Sequence, residues 1–597
     1  MREDPRDRRL ALGATGLLRT FNEAEVLDAA DVHVARRLGA MLEESDETVL
    51  LATALAVRAV RAGSICLDLA VVSELPLETS PDDAPLPWPD PEPWLERVRA
   101  SPLVRAEMLR LVDSRLYLDR YWREEGQVCH DLVERLRRPA PELDPAALES
   151  GLVRVFPEQG YDEQRAAARA AAGRWTTVLT GGPGTGKTTT VAGLLALVAE
   201  QHELATGQAP RIALSAPTGK AAARLQEAVE EATDALADPT DRQRLAGLQA
   251  STLHRLLGWR PDSRVRFRHH RAHRLPHDVI VVDETSMVSL TMMARLLEAV
   301  RPDARLVLVG DPDQLASVEA GAVLADLVAG FEGSPDSPVN ALLTTHRFGA
   351  HIGALAQALR DGDTDAVMAA LAQGSTEVEH IDPDDEAAMT RFRGQVADVA
   401  VELRLAAEDG DPDRALAAVA SHRLLCAHRE GPYGVGGWNR LVERLVAERT
   451  GVTHYDEWYA GRPILVTAND YDQLLNNGDM GATVRHHGGA ADGRLRVVVQ
   501  VGPEVREFAT TRLSGVETVH AMTVHKSQGS QAHTVSVVLP DEESRLLTRE
   551  LFYTAVTRAQ ERVRIVGSES AIRAAVGREV QRASGLRERL RETLATR

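Results

Sequence analysis

At 597 residues, with 44% hydrophobic and 26% charged side chains, the chain has the make-up of a soluble globular protein of roughly two to four domains. No apolar run approaches the ~20 residues of a membrane span; the best, residues 49–57, stops at Arg58, and the first seven residues carry mixed charge without a signal-peptide core. Cys66, Cys129 and Cys426 are too few and too far apart for a disulfide framework, a four-thiolate zinc site or an iron–sulfur cluster, which leaves reduced core thiols of a cytoplasmic protein.

In chain order, residues 1–148 carry no phosphate-binding motif but space Leu50, Leu51, Ala54, Leu55 and Arg58 as a helix face does. Pro76, Pro81, Pro85, Pro87, Pro89, Pro91 and Pro93 read as an extended loop, and Pro139, Pro141 and Pro145 mark a domain boundary. From 149 to 345 strands alternate with helices: 175–179, 212–215, 279–282 and 306–309 are buried-strand runs, as in a parallel α/β sheet. A second α/β set occupies 346–597, with strands at 424–427, 535–539 and 563–566. Trp438, Leu441, Val442, Leu445 and Val446 lie on one helix face. Between about 473 and 520, Gly-rich turns and alternating runs such as 495–501 predict a small inserted β-barrel.

The phosphate chemistry starts at Gly181-Gly182-Pro183-Gly184-Thr185-Gly186-Lys187-Thr188-Thr189, between a strand and a helix whose Val191, Leu194, Leu195 and Val198 recur at helical spacing. Glycines let backbone N–H groups wrap phosphates, Lys187 reaches the β- and γ-phosphates of ATP, and Thr188 ligates Mg²⁺. The apolar run 279–282 then ends in Asp283-Glu284, where the first carboxylate holds Mg²⁺ and the second activates the attacking water. The second α/β set has no phosphate loop of its own. It is expected to close over the same nucleotide and present Arg347 and Arg558 to the γ-phosphate.

Only three of the 69 basic residues are lysines: Lys187, Lys220 and Lys526, each inside a motif of this kind. A compact ammonium kept in an arginine-rich chain marks a place where a planar guanidinium is hard to accommodate. The net charge of −19 acts at long range only, and local patches decide contact. One such patch, residues 255–277, carries seven arginines, four histidines, Trp259 and Phe267. It reads equally as a solvated insertion or as a DNA- or subunit-facing surface.

Together and in order, these motifs resemble the superfamily 1 helicases. Gln164 in Tyr161-Asp162-Glu163-Gln164 is similar to the adenine-reading glutamine, and Gly310-Asp311-Pro312-Asp313-Gln314-Leu315 to the segment whose Gln314 senses γ-phosphate. Ala216-Pro217-Thr218-Gly219-Lys220 and Thr252-Leu253-His254-Arg255 look like the first-lobe segments that grip single-stranded DNA. Thr523-Val524-His525-Lys526-Ser527-Gln528-Gly529 resembles the second-lobe motif facing both DNA and, through Gly529, nucleotide.

Within that superfamily the chain resembles the RecD family, the α subunits of RecBCD-type exonuclease V complexes. The resemblance is carried by Asp278 to Val288, Arg429 to Val435, Gly461 to Val466 followed by Asn469-Asp470-Tyr471, and Arg115 to Trp122. It departs at Thr285, where Ala is common, and in the acidic Pro-rich segment 76–94. The resemblance implies two RecA-like parallel-sheet motor domains with an SH3-like insertion and a mainly helical partner-docking domain at 1–148. It also implies an ATP- and Mg²⁺-dependent 5′→3′ motor at duplex DNA ends in recombination repair. Its DNA contacts would include Thr218, Lys220, His254, Asn469, Thr523 and His525. Its partners would be a RecB-like helicase-nuclease and a RecC-like scaffold, as a heterotrimer with no membrane association.

A relaxase fusion would need an N-terminal His-hydrophobic-His cluster, which is missing, and a vestigial ATPase would not retain every catalytic residue type. A stand-alone RecD-like helicase is the remaining alternative, and it carries a longer N-terminal extension.

Overall fold

A strand apolar at every position needs cover on both faces. The computed structural model describes residues 9–74, 85–157, 160–260, 266–345, 349–453, 456–470, 472–487, 493–502, 504–580 and 582–596. In it Val279–Val282 has that cover: Ile280 and Val282 enter one hydrophobic cluster, Val279 and Val281 another.

Three helices, Gly16–Glu23, Ala29–Met41 and Glu47–Arg61, come first in the chain, and a small antiparallel sheet follows of β1 (Cys66–Asp68), β2 (Leu109–Val112) and β3 (Arg115–Leu118). The first lobe follows with β4 (Thr176–Gly181), β5 (Ile212–Ala216), β6 (Ala250–Thr252), β7 (Val279–Val282), β8 (Arg305–Gly310) and β9 (Val339–Leu342). All pairs are parallel, in the order β6-β5-β7-β8-β4-β9. This places the ends of β4, β7 and β8, which carry the phosphate motifs, side by side.

The second lobe holds β10 (Val378–Ile381) and β11 (His422–Cys426). An inserted antiparallel sheet follows, of β12 (Pro463–Val466), β13 (Met480–Arg485), β14 (Leu495–Val501), β15 (Glu504–Ala509) and β16 (Val516–Thr518). The chain then returns through β17 (Ala521–Thr523), β18 (Ala532–Val538) and β19 (Ala559–Val566) to complete a second parallel sheet, β10-β19-β18-β11-β17.

Three expectations change. Pro91 and Pro93 do not lie in an extended loop: they occupy the first turn of the helix Pro91–Ala100, which buries Trp94. Proline fits there because first-turn N–H groups have no intrahelical partner to lose; Pro76 and Pro81 lie outside the described residues. The inserted sheet starts at Pro463 rather than near 473, since Pro463-Ile464-Leu465-Val466 is itself a fully buried strand. Among the described residues its edge strands β15 and β16 do not pair with each other, so the sheet is open and no barrel closure is seen.

The terminal segments also pack differently from their place in the sequence. Residues 11–116 have a hydrophobic cluster of their own. The helix Asp119–Leu136, however, lays Val128, Cys129, Leu132 and Val133 on the first-lobe sheet, and Pro145–Val155 covers the opposite face. Arg135 is buried in that contact. It donates to Thr176 Oγ1 at 2.8 Å, to the Trp175 carbonyl at 2.8 Å and to the Arg301 carbonyl at 2.9 Å, and burial lowers its pKa to about 10. The C-terminus leaves the second lobe and returns to the first: Ile65 N–H donates to the Ala583 carbonyl at 2.8 Å, and the helix Leu586–Ala595 inserts beside Asp119–Leu136. All three cysteines are buried and free, and no described helix is long and apolar enough to cross a membrane.

Leu590 is fully buried where the C-terminal helix meets the first lobe. Leu590→Ala is expected to destabilise the first lobe by about 2–5 kcal/mol. Urea unfolding followed by tryptophan fluorescence should show the lobe's transition shifting by that amount, and an unshifted transition would make the helix peripheral.

Candidate nucleotide and nucleic-acid site

The phosphate loop hangs between β4 and the helix Lys187–Thr206. Gly184 and Gly186 have φ of 81° and 80°, the left-handed region that a side chain resists. A Cβ at Gly182 would collide with Arg360 Nη2 and stand 3.0 Å from Tyr553 Oη, two groups of the second lobe. Lys187 Nζ donates to the Gly181 and Gly182 carbonyls at 2.6 and 2.9 Å, holding the ammonium against the loop it would leave for a phosphate. Pro183, Gly184, Gly186, Lys187, Thr188 and Thr189 line one wall of the cleft; Asp283, Glu284, Asp311 and Gln314 line the next.

Gln164 supplies an independent sign of a ligand. The side chain is 1% exposed, Nε2 reaches the Thr185 carbonyl at 3.4 Å, and Oε1 is buried with no partner among the described residues. A buried amide oxygen left without a donor is unusual, and an exocyclic amino group such as adenine carries would satisfy it.

Asp283 and Glu284 follow β7. The Asp283 N–H donates to the Ser215 carbonyl at 2.9 Å; burial first, and then the neighbouring Glu284, push its carboxyl above the usual range, while Lys187 pulls it back. A desolvated carboxylate beside a lysine and a hydroxyl fits a divalent cation. Glu284 has φ of 50°, a strained conformation for a side-chain-bearing residue at the turn where its carboxylate is needed. Thr285 fits where Ala is common because its Oγ1 donates to the Val282 carbonyl at 2.9 Å, so the buried hydroxyl is satisfied.

Arg558, the predicted second-lobe arginine, crosses the cleft. It is 2% exposed; Nη2 donates to Gln314 Oε1 at 2.8 Å and Nε to the Thr554 carbonyl at 3.1 Å. Burial lowers its pKa, with Glu284 acting the other way. Gln314 Nε2 in turn donates to Asp311 Oδ2 at 3.0 Å, and the same oxygen accepts from Tyr553 at 3.0 Å. Arg360 Nη2 donates to Tyr553 Oη at 2.9 Å and its Nε lies 3.1 Å from Asp313 Oδ2. Thr554 Oγ1 accepts from Leu315 N, and Gln528 Nε2 donates to the Leu315 carbonyl, each at 2.8 Å. Arg347 lies outside the described residues.

Sequence reasoning missed Tyr553, Arg360, Arg224 and Gln531, of which the last two line the cleft. Tyr553 stands five residues before Arg558, on the helix that leads into it. Arg360, one exposed-looking arginine among many, carried no signal.

The candidate DNA residues separate into two groups. Thr218 lies two residues beyond β5 and Thr523 ends β17, and each caps the next helix: their Oγ1 atoms accept from Ala221 N at 3.2 Å and Lys526 N at 3.3 Å. Burial lowers the pKa of His254 and His525, which favours the uncharged form of both rings. Lys220 and Lys526, expected on phosphates, face the inserted sheet. Lys220 Nζ donates to the Gly478 carbonyl at 3.1 Å and Lys526 Nζ pairs with Glu517 at 2.6 Å. Asn469 Oδ1 accepts from Asn477 N at 2.8 Å, holding the loop that meets Lys220. Gly529 approaches Ala221, bringing the second-lobe motif against the first-lobe helix Gly219–Asp234. In the basic insertion, Arg271 pairs with Asp131 at 2.7 Å and Arg274 donates to the Val300 carbonyl, so these two arginines anchor the segment to the first lobe. Trp259 bridges Phe267 and stays 40% exposed, and Arg264 lies outside the described residues.

Family models match three stretches: the N-terminal domain of RecBCD enzyme subunit RecD at residues 23–117, an AAA domain at 164–320 and a UvrD-like helicase C-terminal domain at 518–566. The chain is 58% identical to RecBCD enzyme subunit RecD of Mycobacterium tuberculosis (strain ATCC 25618 / H37Rv), covering 98% of both chains. It is 59% identical to the same subunit of Mycolicibacterium smegmatis, covering 96% of this chain and 99% of that one. It is 32% identical to the ATP-dependent RecD2 DNA helicase of Deinococcus radiodurans, over 82% of this chain but 61% of the relative. With this identity over nearly its whole length, and a motor cleft assembled from both lobes, the chain belongs to the RecD family of helicase subunits.

Proposed function

We propose that the chain is an ATP-dependent 5′→3′ DNA helicase subunit. It would work in the cytoplasm within a heterotrimer, beside a RecB-like helicase-nuclease and a RecC-like scaffold, processing duplex DNA ends for recombination repair. The observation that carries this reading is the Arg558–Gln314 hydrogen bond across a cleft lined by Lys187, Asp283 and Glu284. The stand-alone alternative is not favoured: the chain is 58% identical to the mycobacterial RecD subunit and 32% identical to the RecD2 helicase.

In the proposed cycle, Gln164 receives the adenine amino group and Lys187 leaves the Gly181 and Gly182 carbonyls for the β- and γ-phosphates. Thr188 and Asp283 are the residues that would hold Mg²⁺, which when bound neutralises charge on the phosphates. Glu284 takes the proton of the attacking water, and Arg558 meets the charge that develops on the γ-phosphoryl oxygens. Arg558 reaches that position from the second lobe, so the contact strengthens as the lobes close and weakens as they part. Thr218, His254, Thr523 and His525 would hold single-stranded DNA through its backbone, without sequence preference and with steep salt dependence. The separate hydrophobic cluster of residues 11–116, which overlaps the RecD N-terminal model at 23–117, supports a docking role for this region. Deleting residues 1–148 whole would also strip the helix Asp119–Leu136 from the motor, so docking is better tested by surface substitution and co-purification.

Two outcomes check the chemistry. Lys187→Gln should abolish DNA-stimulated ATP hydrolysis while circular dichroism and the unfolding midpoint stay unchanged, because glycines set the loop geometry. Near-parental hydrolysis would overturn the assignment. Arg558→Ala should lower kcat by about a hundredfold or more and change KM for ATP much less, as expected of a contact made chiefly in the transition state. A raised KM with intact kcat would place Arg558 outside the catalytic set.

A further inference from the structure

Beside the nucleotide cleft, on the far side of Arg224 and Gln531, lies a second cavity of about 570 Å³ between the helix Gly219–Asp234, the second lobe and the inserted sheet. Arg224 and Gln531 line both spaces, so they form the partition. The partition is lightly held: among the described residues the Gln531 side chain is bonded only by Gln560 Nε2, at a long 3.4 Å.

The cavity's inner lining carries positive charge that the protein does not neutralise. Arg423 is more than nine-tenths buried. Its Nη1 donates to the carbonyls of Val419 and His422, its Nε has no partner, and no carboxylate pairs with it among the described residues. Lys220 reaches only the Gly478 carbonyl, and Arg224 makes no hydrogen bond among the described residues. Burial, then the repulsion of Arg423, lowers the pKa of Lys220 to about 7, while Asp479 opposes this. Asp479 is the one buried acid in the lining, and its Oδ2 already accepts from Asn476 N at 2.7 Å. The other two acids, Glu227 and Asp413, are exposed and belong to the mouth. Buried cations without counter-ions are costly, and a small oxyanion with several acceptor oxygens would relieve them.

We infer that this cavity is the exit compartment for the orthophosphate released in the nucleotide cleft, drawn past Gln531 by Arg224, Lys220 and Arg423. The inference rests on the ATPase reading above. Hydrolysis forms a bond from water oxygen to the γ-phosphorus and breaks the bond to the β-bridging oxygen, leaving ADP and orthophosphate. The phosphate loop and Gln164 hold ADP on one side, whereas the cavity opens on the other side of the cleft. The acidic mouth keeps the local anion concentration low and so opposes rebinding.

The test uses the full chain saturated with ADP and Mg²⁺, titrated with inorganic phosphate by calorimetry. Alongside it, single-turnover phosphate release is read with a fluorescent phosphate sensor and compared with acid-quenched hydrolysis. Arg423→Gln should weaken phosphate binding about tenfold, the worth of one charged hydrogen bond. It should also change the lag between cleavage and release, with ADP affinity unchanged. Gln560→Glu, at an exposed position that tolerates substitution, adds a negative charge at the partition and should weaken phosphate in the same sense. Unaltered phosphate affinity and release in both variants would overturn the proposal. So would a loss of oligo(dT) affinity in Arg423→Gln with phosphate binding intact, because the cavity would then serve the DNA backbone. If the parent chain hydrolysed no ATP, the functional reading would fail on its own, while the phosphate titration would still decide whether the cavity holds the anion.

Discussion

The structure turns on one buried guanidinium. Arg558 is cut off from water yet has no carboxylate within hydrogen-bonding distance among the described residues. Its charge is carried by the Gln314 amide oxygen from the other lobe and by the Thr554 carbonyl of the helix that precedes it. A buried charge is tolerable only while such acceptors stay in place, so parting the lobes carries an electrostatic penalty in addition to lost packing. The same loop, Asp311 to Leu315, also receives Tyr553, Thr554 and Gln528 from the second lobe. Contacts from two second-lobe segments therefore converge on a few residues just beyond β8. In the proposed cycle, a change at the γ-phosphate that moves Gln314 has a short hydrogen-bonded route into the second lobe.

The first lobe is built to resist that movement. The helix Asp119–Leu136 and the returning C-terminal helix cover one face of its sheet, and Arg135 binds the carbonyls at the starting ends of β4 and β8. Segments from both ends of the chain thus brace the lobe that carries the phosphate loop. Such bracing suits a motor whose first lobe is a rigid platform and whose second lobe moves. It also means that the N-terminal region shares a core with the motor while keeping a separate core of its own.

The three lysines divide the work. Lys187 sits in the phosphate loop; Lys220 and Lys526 reach from a motif of each lobe to the inserted sheet, at Gly478 and Glu517. A flexible stem ending in a point charge suits a contact between bodies that shift relative to each other better than a planar fork does. The inserted sheet therefore touches both lobes at motifs proposed to meet DNA, and its position depends on the separation of the lobes.

Much of this was legible without coordinates. The phosphate loop, the Asp283-Glu284 pair after a buried strand, the two parallel sheets and the approach of Arg558 to the cleft follow from local patterns: a glycine-dictated turn, apolar runs that need cover on both faces, and a chain with one nucleotide loop between two lobes. Pro91 and Pro93 were misread because proline breaks helix interiors but suits first turns, and only the buried Trp94 distinguishes the two. The start of the inserted sheet was misplaced because residues 463–466 pair with strands far along the chain. Tyr553 and Arg360 acquired their places through hydrogen bonds spanning 242 and 193 residues respectively, which no local spacing encodes. The same holds for the uncompensated cavity lining. The sequence by itself determined which chemical groups the chain possesses and which apolar runs form the strands that carry the phosphate motifs, because those depend on neighbours a few residues away. Only the tertiary structure decided which charges are left facing one another, because burial and long-range approach set the cost of a charge.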